Sequence, residues 1–206
     1  VYKIDANDIS AKDNYKILSG SVIPRPIAFV SSISLENQVV NAAPFSFFNV
    51  VSSNPPLLSI SVQRINGEMK DTARNITNSK EFVIHLSDES IIEEINKTAA
   101  SLPQDESELE QTSLSLVDSE KISVPGIREA KIRFECRLEQ HLTFANDHNE
   151  ETTDLIIGRV LCYHLHNQVY DPANGYILSE HLAPVCRLAG NDYAALGKKF
   201  TIERPL

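Results

Sequence analysis

Three cysteines in 206 residues, Cys136, Cys162 and Cys186, stand far apart and form no C-x-x-C pair. An odd, scattered set argues against a disulfide framework and against a structural zinc site, and the expected home is a reducing compartment. No apolar run approaches the roughly 20 residues that a membrane-spanning helix needs. The opening VYKIDANDIS has no basic stretch followed by an apolar one, so no export signal is read and the expectation is a cytoplasmic protein away from membranes. The seven glycines never fall into G-x-G-x-x-G or G-x-x-x-x-G-K-[ST], which excludes a Rossmann dinucleotide turn and a Walker loop. G-x-S-x-G and H-E-x-x-H are missing too.

Basic residues are in deficit as well. There are 28 Asp and Glu against 19 Lys and Arg, a formal net charge of −9. Ten of the acids and a single base, Lys97, fall between Asp88 and Glu120, so the rest of the chain is balanced. Nucleic acid as a partner requires a concentrated basic patch, and none is visible. The acidic stretch reads first as the solvated face of helices; a docking surface for a basic partner is the alternative. Hydrophobic content of 42% and charged content of 23% are those of a soluble folded chain able to bury a core. Without a low-complexity linker or an internal repeat, one domain over residues 1–206 is expected.

What is present is mostly strand. In KIRFECRLEQHLTF (131–144), Ile132, Phe134, Cys136, Leu138, Leu142 and Phe144 alternate with Lys131, Arg133, Glu135, Arg137, Glu139 and His141. That period of two predicts a long strand with one buried and one wet face. DLIIGRVLCYHLH (154–166) is a second long strand, apolar on both faces. VIPRPIAFVSSI, ending at Ile33, begins at a sheet edge because of its two prolines, and LENQ (35–38) turns it into a partner strand, Asn tolerating the left-handed region. LLSISVQ (57–63) and EFVIHL (81–86) are further strands. A short helix over 13–18 ends at Gly20, and another runs from Lys70-Asp71-Thr72 to about Ser79. Asp88 and Asp105 are candidate N-caps, and Glu108 completes a capping-box arrangement with Asp105. Long antiparallel strands with a helical excursion around 88–115 predict a mainly β fold, a barrel carrying helices.

Conventional acid–base or nucleophilic catalysis finds no constellation here. His164 and His166 lie two apart on a strand and could share a face as metal ligands, but no third ligand follows in sequence; ordinary strand histidines are the simpler reading and no metal is expected. His141 and His148 flank a polar loop and should be exposed. Cys136 should be a small buried hydrophobe. Lys70-Asp71-Thr72 opens a helix that holds Arg74 and Asn75, and free N–H groups at a helix start favour an anion such as phosphate; capping by Asp71 or Thr72 is the alternative. APFSFFNVVSSNPP (43–56) is too aromatic for a surface loop and too rich in hydroxyl and amide for a core strand.

Five segments in order, PRPIAFVSSIS (24–34), NAAPFSFFNVVSSNPPLLSISV (41–62), KDTARNITNSKEFVIHL (70–86), DLIIGRV (154–160) and CRLAGNDYAALGKKF (186–200), make the chain resemble the flavin reductase-like family of FMN-binding split barrels. Within it the resemblance is closest to the nitrilotriacetate monooxygenase component B type. It implies a Greek-key antiparallel split β-barrel that forms a homodimer with FMN near the subunit interface. It implies Ser31 and Ser32 beside the flavin, and Ser46, Phe47, Phe48 and Asn49 bordering the isoalloxazine ring. Ser52 and Ser53, with Lys70 and Thr72, would hold the ribityl chain and phosphate, and Arg187 and Tyr193 lie near the site. Phe45 and Phe47 would then share one side of a strand and Phe48 the other, making the aromatic stretch one edge of a flavin slot.

The implied activity is that of an FMN-dependent oxidoreductase of the NAD(P)H:flavin reductase type. It would take hydride from NADH or NADPH and pass reduced flavin or electrons to a monooxygenase or another acceptor. The lack of titrating catalytic side chains then makes sense, because hydride transfer is the cofactor's chemistry and the protein supplies binding and orientation. The chain departs from the family pattern at Glu36-Asn37, at Leu188-Ala189-Gly190 and at His85, which replaces a frequent Asn. Thr152-Thr153-Asp154 stand where some members carry a nicotinamide-contacting histidine. That departure motivates an alternative, an FMN carrier or storage protein without turnover; a barrel acting as an interaction module through its acidic helices is a third reading.

Overall fold

The computed structural model describes residues 1–100, 102–103, 105–203 and 205. Helix α1 (Ala11–Ser21) is followed by β1 (Arg25–Pro26), β2 (Ala28–Ile33), β3 (Val40–Phe45), β4 (Phe48–Ser53), β5 (Pro56–Gln63), α2 (Asp71–Ser79), β6 (Glu81–Leu86) and α3 (Ile92–Lys97). After a 3-10 turn at Glu108–Gln111 come β7 (Leu116–Val117), β8 (Gly126–Ile127) and the long pair β9 (Ile132–Ala145) and β10 (Glu151–Leu165). β11 (Tyr170–Asp171), β12 (Tyr176–Ile177), α4 (Ser179–Leu182), β13 (Val185–Arg187) and β14 (Tyr193–Ala195) complete the chain.

Seven strands form one antiparallel sheet in the order β3-β2-β6-β9-β10-β5-β4. Its two outermost strands, β3 and β4, are consecutive in sequence and joined by only Ser46 and Phe47. A two-residue link between opposite edges requires the sheet to curl into a barrel, which this corner closes without a ladder between its two strands. Inside lie Ala28, Val30, Ile60, Phe82, Ile84, Cys136 and Ile156, and α2 presses Ala73 and Ile76 onto the same cluster. β2 is buried on both faces, since Phe29 turns outward onto Ile91 and Ile95 around α3. Gly158 is required by this packing: a Cβ there would stand 2.3 Å from the Phe82 ring.

Several local expectations are corrected. Gly20 does not end the first helix; α1 continues to Ser21 and is entered through Ser10, whose Oγ accepts from the Asp13 N–H. In the β2–β3 turn the left-handed residue is Gln38 (φ 60°), while the Asn37 carboxamide accepts from the Val39 N–H. Asp105 caps no helix: the 3-10 turn is capped by Ser107, and the Glu108 carboxylate reaches Asn41 and Ala42 on β3 instead. Among the described residues the helical excursion is therefore α3 and one 3-10 turn, with Asp88 and Glu108 buried and Glu89, Glu93, Asp105, Glu106 and Glu110 exposed, as a solvated acidic face requires.

The two faces of β9 are also not uniformly dry and wet. β6 pairs with β9 only as far as Arg137, so beyond that point the β9–β10 hairpin outruns its neighbour and Leu142 and Phe144 are exposed. On the expected wet face Glu135 is buried, because the chain at 119–121 folds over it and donates the Glu120 and Lys121 N–H groups to its carboxylate, both at 2.7 Å.

Candidate functional site

The β3–β4 corner lies at the meeting point of three cavities. One of about 560 Å³ is lined by Pro44, Met69, Lys70, Thr72, Ala99 and Glu108, among others. The next, about 340 Å³, shares Pro44 and Ala99 with it and adds Ser46, Asn96, Arg187 and Tyr193. The third, about 430 Å³, shares Ser46 and includes Arg25, Phe47, Phe48 and Asn49. Shared walls make one trough running from the start of α2, over Pro44, to the aromatic corner.

At the α2 end, the alternative that the helix is capped by Asp71 or Thr72 does not hold. The N-cap is Lys70, which makes no side-chain capping bond, and Asp71 is instead paired with Arg74. The Thr72 hydroxyl has no partner among the described residues. First-turn N–H groups, a lysine and a hydroxyl thus converge on the cavity, as anion binding at a helix start requires. Behind them Asn75 donates to Ser32 Oγ (3.3 Å) and Asn41 Oδ1 (3.1 Å), fastening α2 to the barrel. Burial pushes the Glu108 carboxyl above its ordinary range, against hydrogen bonds from the Ala42 N–H and Asn41.

The loop leading to Lys70 is braced by a network that the sequence did not reveal. Arg64 makes a two-pronged ion pair with Asp154, Nε–Oδ2 and Nη2–Oδ1 both 2.9 Å, and His141 Nε2 lies 2.8 Å from Asp154 Oδ1. Arg64 also donates to the Gly67 carbonyl. Burial alone would raise the Asp154 carboxyl, but Arg64 and then His141 outweigh it and hold it below the ordinary range. His141 is therefore a half-buried partner, correcting the expectation of an exposed residue; His148 is exposed. A lone Asp inside DLIIGRV was the available signal.

The aromatic stretch is not one strand. The corner at Ser46–Phe47 turns Phe45 and Phe48 onto the same core cluster, while Phe47 faces Tyr15 with ring centroids 6.2 Å apart. Phe47, not the pair Phe45 and Phe47, is the ring presented outward beside Ser46 and Asn49. Arg187 lies 4.4 Å from the Tyr193 ring centre, and the Tyr193 hydroxyl donates to Asn96 Oδ1 at 3.0 Å.

The trough thus gathers Ser46, Phe47, Phe48, Asn49, Lys70, Thr72, Arg187 and Tyr193. Four other residues are placed elsewhere. Ser31 and Ser32 are fully buried with internal partners, Ser31 Oγ donating to the Pro125 carbonyl at 2.7 Å. Ser52 and Ser53 sit opposite Leu57 and Pro56, at the start of β5, whereas Lys70 follows its far end. Neither serine is among the residues that line the three cavities.

Two of the remaining histidines lie against buried groups. His85 is buried, with Nδ1 2.8 Å from the Phe29 carbonyl and Nε2 accepting from the Ile127 N–H at 2.8 Å, which fixes one neutral tautomer. Burial pushes its pKa down to about 3. His164 Nε2 lies 2.5 Å from Glu135 Oε1, with Cys162 close enough that the three ligand atoms fall within 4.8 Å of one another. His166 is outside this group.

A family model described as "Flavin reductase like domain" matches residues 19–180. An uncharacterized protein of Bacillus subtilis is 62% identical over 205 residues, covering 100% of both chains. Among solved structures, nitrilotriacetate monooxygenase component B from Bacillus cereus superposes with a TM-score of 0.94 at 50% identity, covering 98% of each chain. The 2-nitrobenzoate 2-nitroreductase of Pseudomonas fluorescens gives 0.88 at 29% identity, covering 99% of this chain and 96% of that one. An FMN-binding protein from Thermus thermophilus, at 16% identity and TM-score 0.71 over 89% of this chain and 93% of that one, shares the fold.

Proposed function

Because the chain belongs to the flavin reductase-like family, we propose that it is an FMN-dependent oxidoreductase that accepts hydride from NADH or NADPH and passes reduced flavin or electrons to a monooxygenase or other acceptor. The observation that carries this reading is the α2 start, where uncapped N–H groups, Lys70 and the unpartnered Thr72 hydroxyl open onto a trough with an aromatic far end. Those residues fit a ligand that is anionic at one end and flat and apolar at the other. Lys70, Thr72 and the first turn of α2 would hold the phosphate; Pro44, Ser46, Phe47 and Asn49 would border the ring.

Bound FMN would supply the two-electron chemistry. The chain's own part is to orient the ring against the β3–β4 corner and to keep water from one face of it. Ser52 and Ser53, on an edge strand with Val50 and Val51 exposed, are assigned to the flavin of a second copy, in a homodimer. Three free cysteines suit a reducing, cytoplasmic setting.

The test is FMN titration followed by anaerobic stopped-flow mixing with each nicotinamide. A yellow protein that oxidises NADH or NADPH is expected; a protein that takes up no flavin and leaves both nicotinamides intact sinks the proposal. The carrier reading is favoured by one observation: at 152–154 Asp154 is committed to Arg64 and His141. Tight FMN without nicotinamide oxidation would establish that reading instead.

A further inference from the structure

Among the described residues, Arg25 is the one charged side chain lining the aromatic corner that is almost fully buried, at 6% exposure. Its guanidinium donates to the carbonyls of Ser19 and Val22 at the end of α1, to the Leu188 carbonyl (2.8 Å), and weakly to Ser46 Oγ (3.4 Å). It stands 6.0 Å from the centre of the Phe47 ring. The β1–β13 register sets Arg187 directly opposite. Arg187 donates to the Gly190 carbonyl and covers Tyr193. Neither guanidinium has a carboxylate within salt-bridge distance among the described residues.

This arrangement is costly. Like charges directly opposite across two strands repel, and a buried cation without a counter-ion is unfavourable unless dipoles replace the lost water. The carbonyl end of α1 supplies such dipoles and a partial negative charge, which solvates Arg25 without neutralising it. Among the described residues, the linings of the cavities on either side of Ser46 contain an arginine each and no Asp or Glu, in a chain that carries 28 acids. A positive potential in a partly desolvated cavity is what remains, and it acts more strongly there than in water.

The geometry points to Arg25 and Arg187 as a fixed cationic pair that stabilises the negative charge a bound flavin ring gains on reduction, so that the pair strengthens the binding of reduced FMN relative to oxidised FMN. The inference rests on the FMN reading above. Hydride transfer moves one proton and two electrons from the reduced nicotinamide, which leaves as its cation, to the ring, which gains one net negative charge until it takes up a further proton. The pair lowers the energy of that charged product through its own charge and needs no proton transfer.

The experiment compares Kd for oxidised and for dithionite-reduced FMN, and for riboflavin, in the wild type, Arg25→Gln, Arg25→Lys and Arg187→Gln. The expected result is a ratio of oxidised to reduced Kd that falls about tenfold in Arg187→Gln and Arg25→Gln, equivalent to about 30 mV for a two-electron couple, and stays within threefold in Arg25→Lys. If Arg25→Gln fails to fold because the α1 clamp is lost, Arg187→Gln decides. A ratio unchanged in Arg187→Gln overturns the inference while leaving FMN binding intact. Equal losses for both redox states with no loss for riboflavin also overturn it, by assigning the pair to the phosphate. A wild type that binds no FMN removes the functional reading itself and this inference with it.

Discussion

The two ends of the trough are built on different electrostatic plans. At the α2 end acids and bases are mixed: Lys70 and Arg74 stand among Glu68, Asp71 and Glu108, and the lysine is exposed on a flexible stem. At the β3–β4 corner the charges are two guanidiniums held by carbonyls, with no acid in the lining. A solvated point charge beside free helix N–H groups suits an anion that keeps part of its water, such as a phosphate. A buried planar cation suits charge spread over a flat ring. On the proposed reading, the difference would separate recognition of the ligand's tail from tuning of its reactive part.

The largest expected blow falls on the brace behind the α2 end. Asp154→Asn leaves Arg64 without its buried partner and should cost about 3 kcal/mol in chemical denaturation, while loosening the loop to Lys70. If the variant matches the wild type in stability, the brace is ornamental and the two ends differ less than claimed.

Gly158→Ala strikes the frame beneath both ends. The added methyl meets Phe82 at 2.3 Å, and overpacking of this kind costs about 1–3 kcal/mol. Folded variant protein should keep its preference for FMN over riboflavin. A large change in that preference with no loss of stability would show that the frame and the trough are not separate.

Acid tests the frame in another way. The folded-state pKa of His85 is depressed by burial to about 3, below its ordinary value of 6.5. Its contribution is therefore present above the unfolded value and is lost as pH falls from 6.5 towards 3, since the unfolded chain takes up the proton first. Between pH 7 and 5 the loss should be about 2 kcal/mol, and His85→Asn should flatten that slope. Asp154, also held low, adds to the loss below its ordinary value of 3.8. A wild-type slope of zero over pH 7 to 5 would contradict the fixed neutral tautomer.

The smallest effect is the sharpest for the comparison. Lys70→Ala should weaken FMN about tenfold, near 1.4 kcal/mol, and riboflavin hardly at all, by equilibrium titration. Equal losses for the two ligands would remove the phosphate from the α2 end.

The alternation of residues 131–144, the strand at 154–166, the helix opened by Lys70 and the family itself were all legible in the sequence. They depend on short-range periodicity and on local residue types, which the chain carries wherever it folds. The trough could be read only in part. Lys70, Thr72, Ser46, Phe47, Phe48, Asn49, Arg187 and Tyr193 stand in the segments that carry the resemblance, but the roles of Arg25 and of the Arg64–Asp154–His141 network rest on partners as far as 163, 90 and 13 positions away in the chain. Periodicity also failed where neighbours run out: Leu142 and Phe144 sit on the correct face of a strand that has outrun β6.

By itself, then, the sequence determined the strands, the family and the helix that Lys70 opens. Only the tertiary structure decided that Phe45 and Phe48 go inward while Phe47 turns out, that Ser31 and Ser32 are sealed inside, and that two arginines face each other with no counter-ion among the described residues. The physical reason is that local pattern fixes which side of a strand a residue occupies. What that side meets depends on strand register and on where the barrel closes.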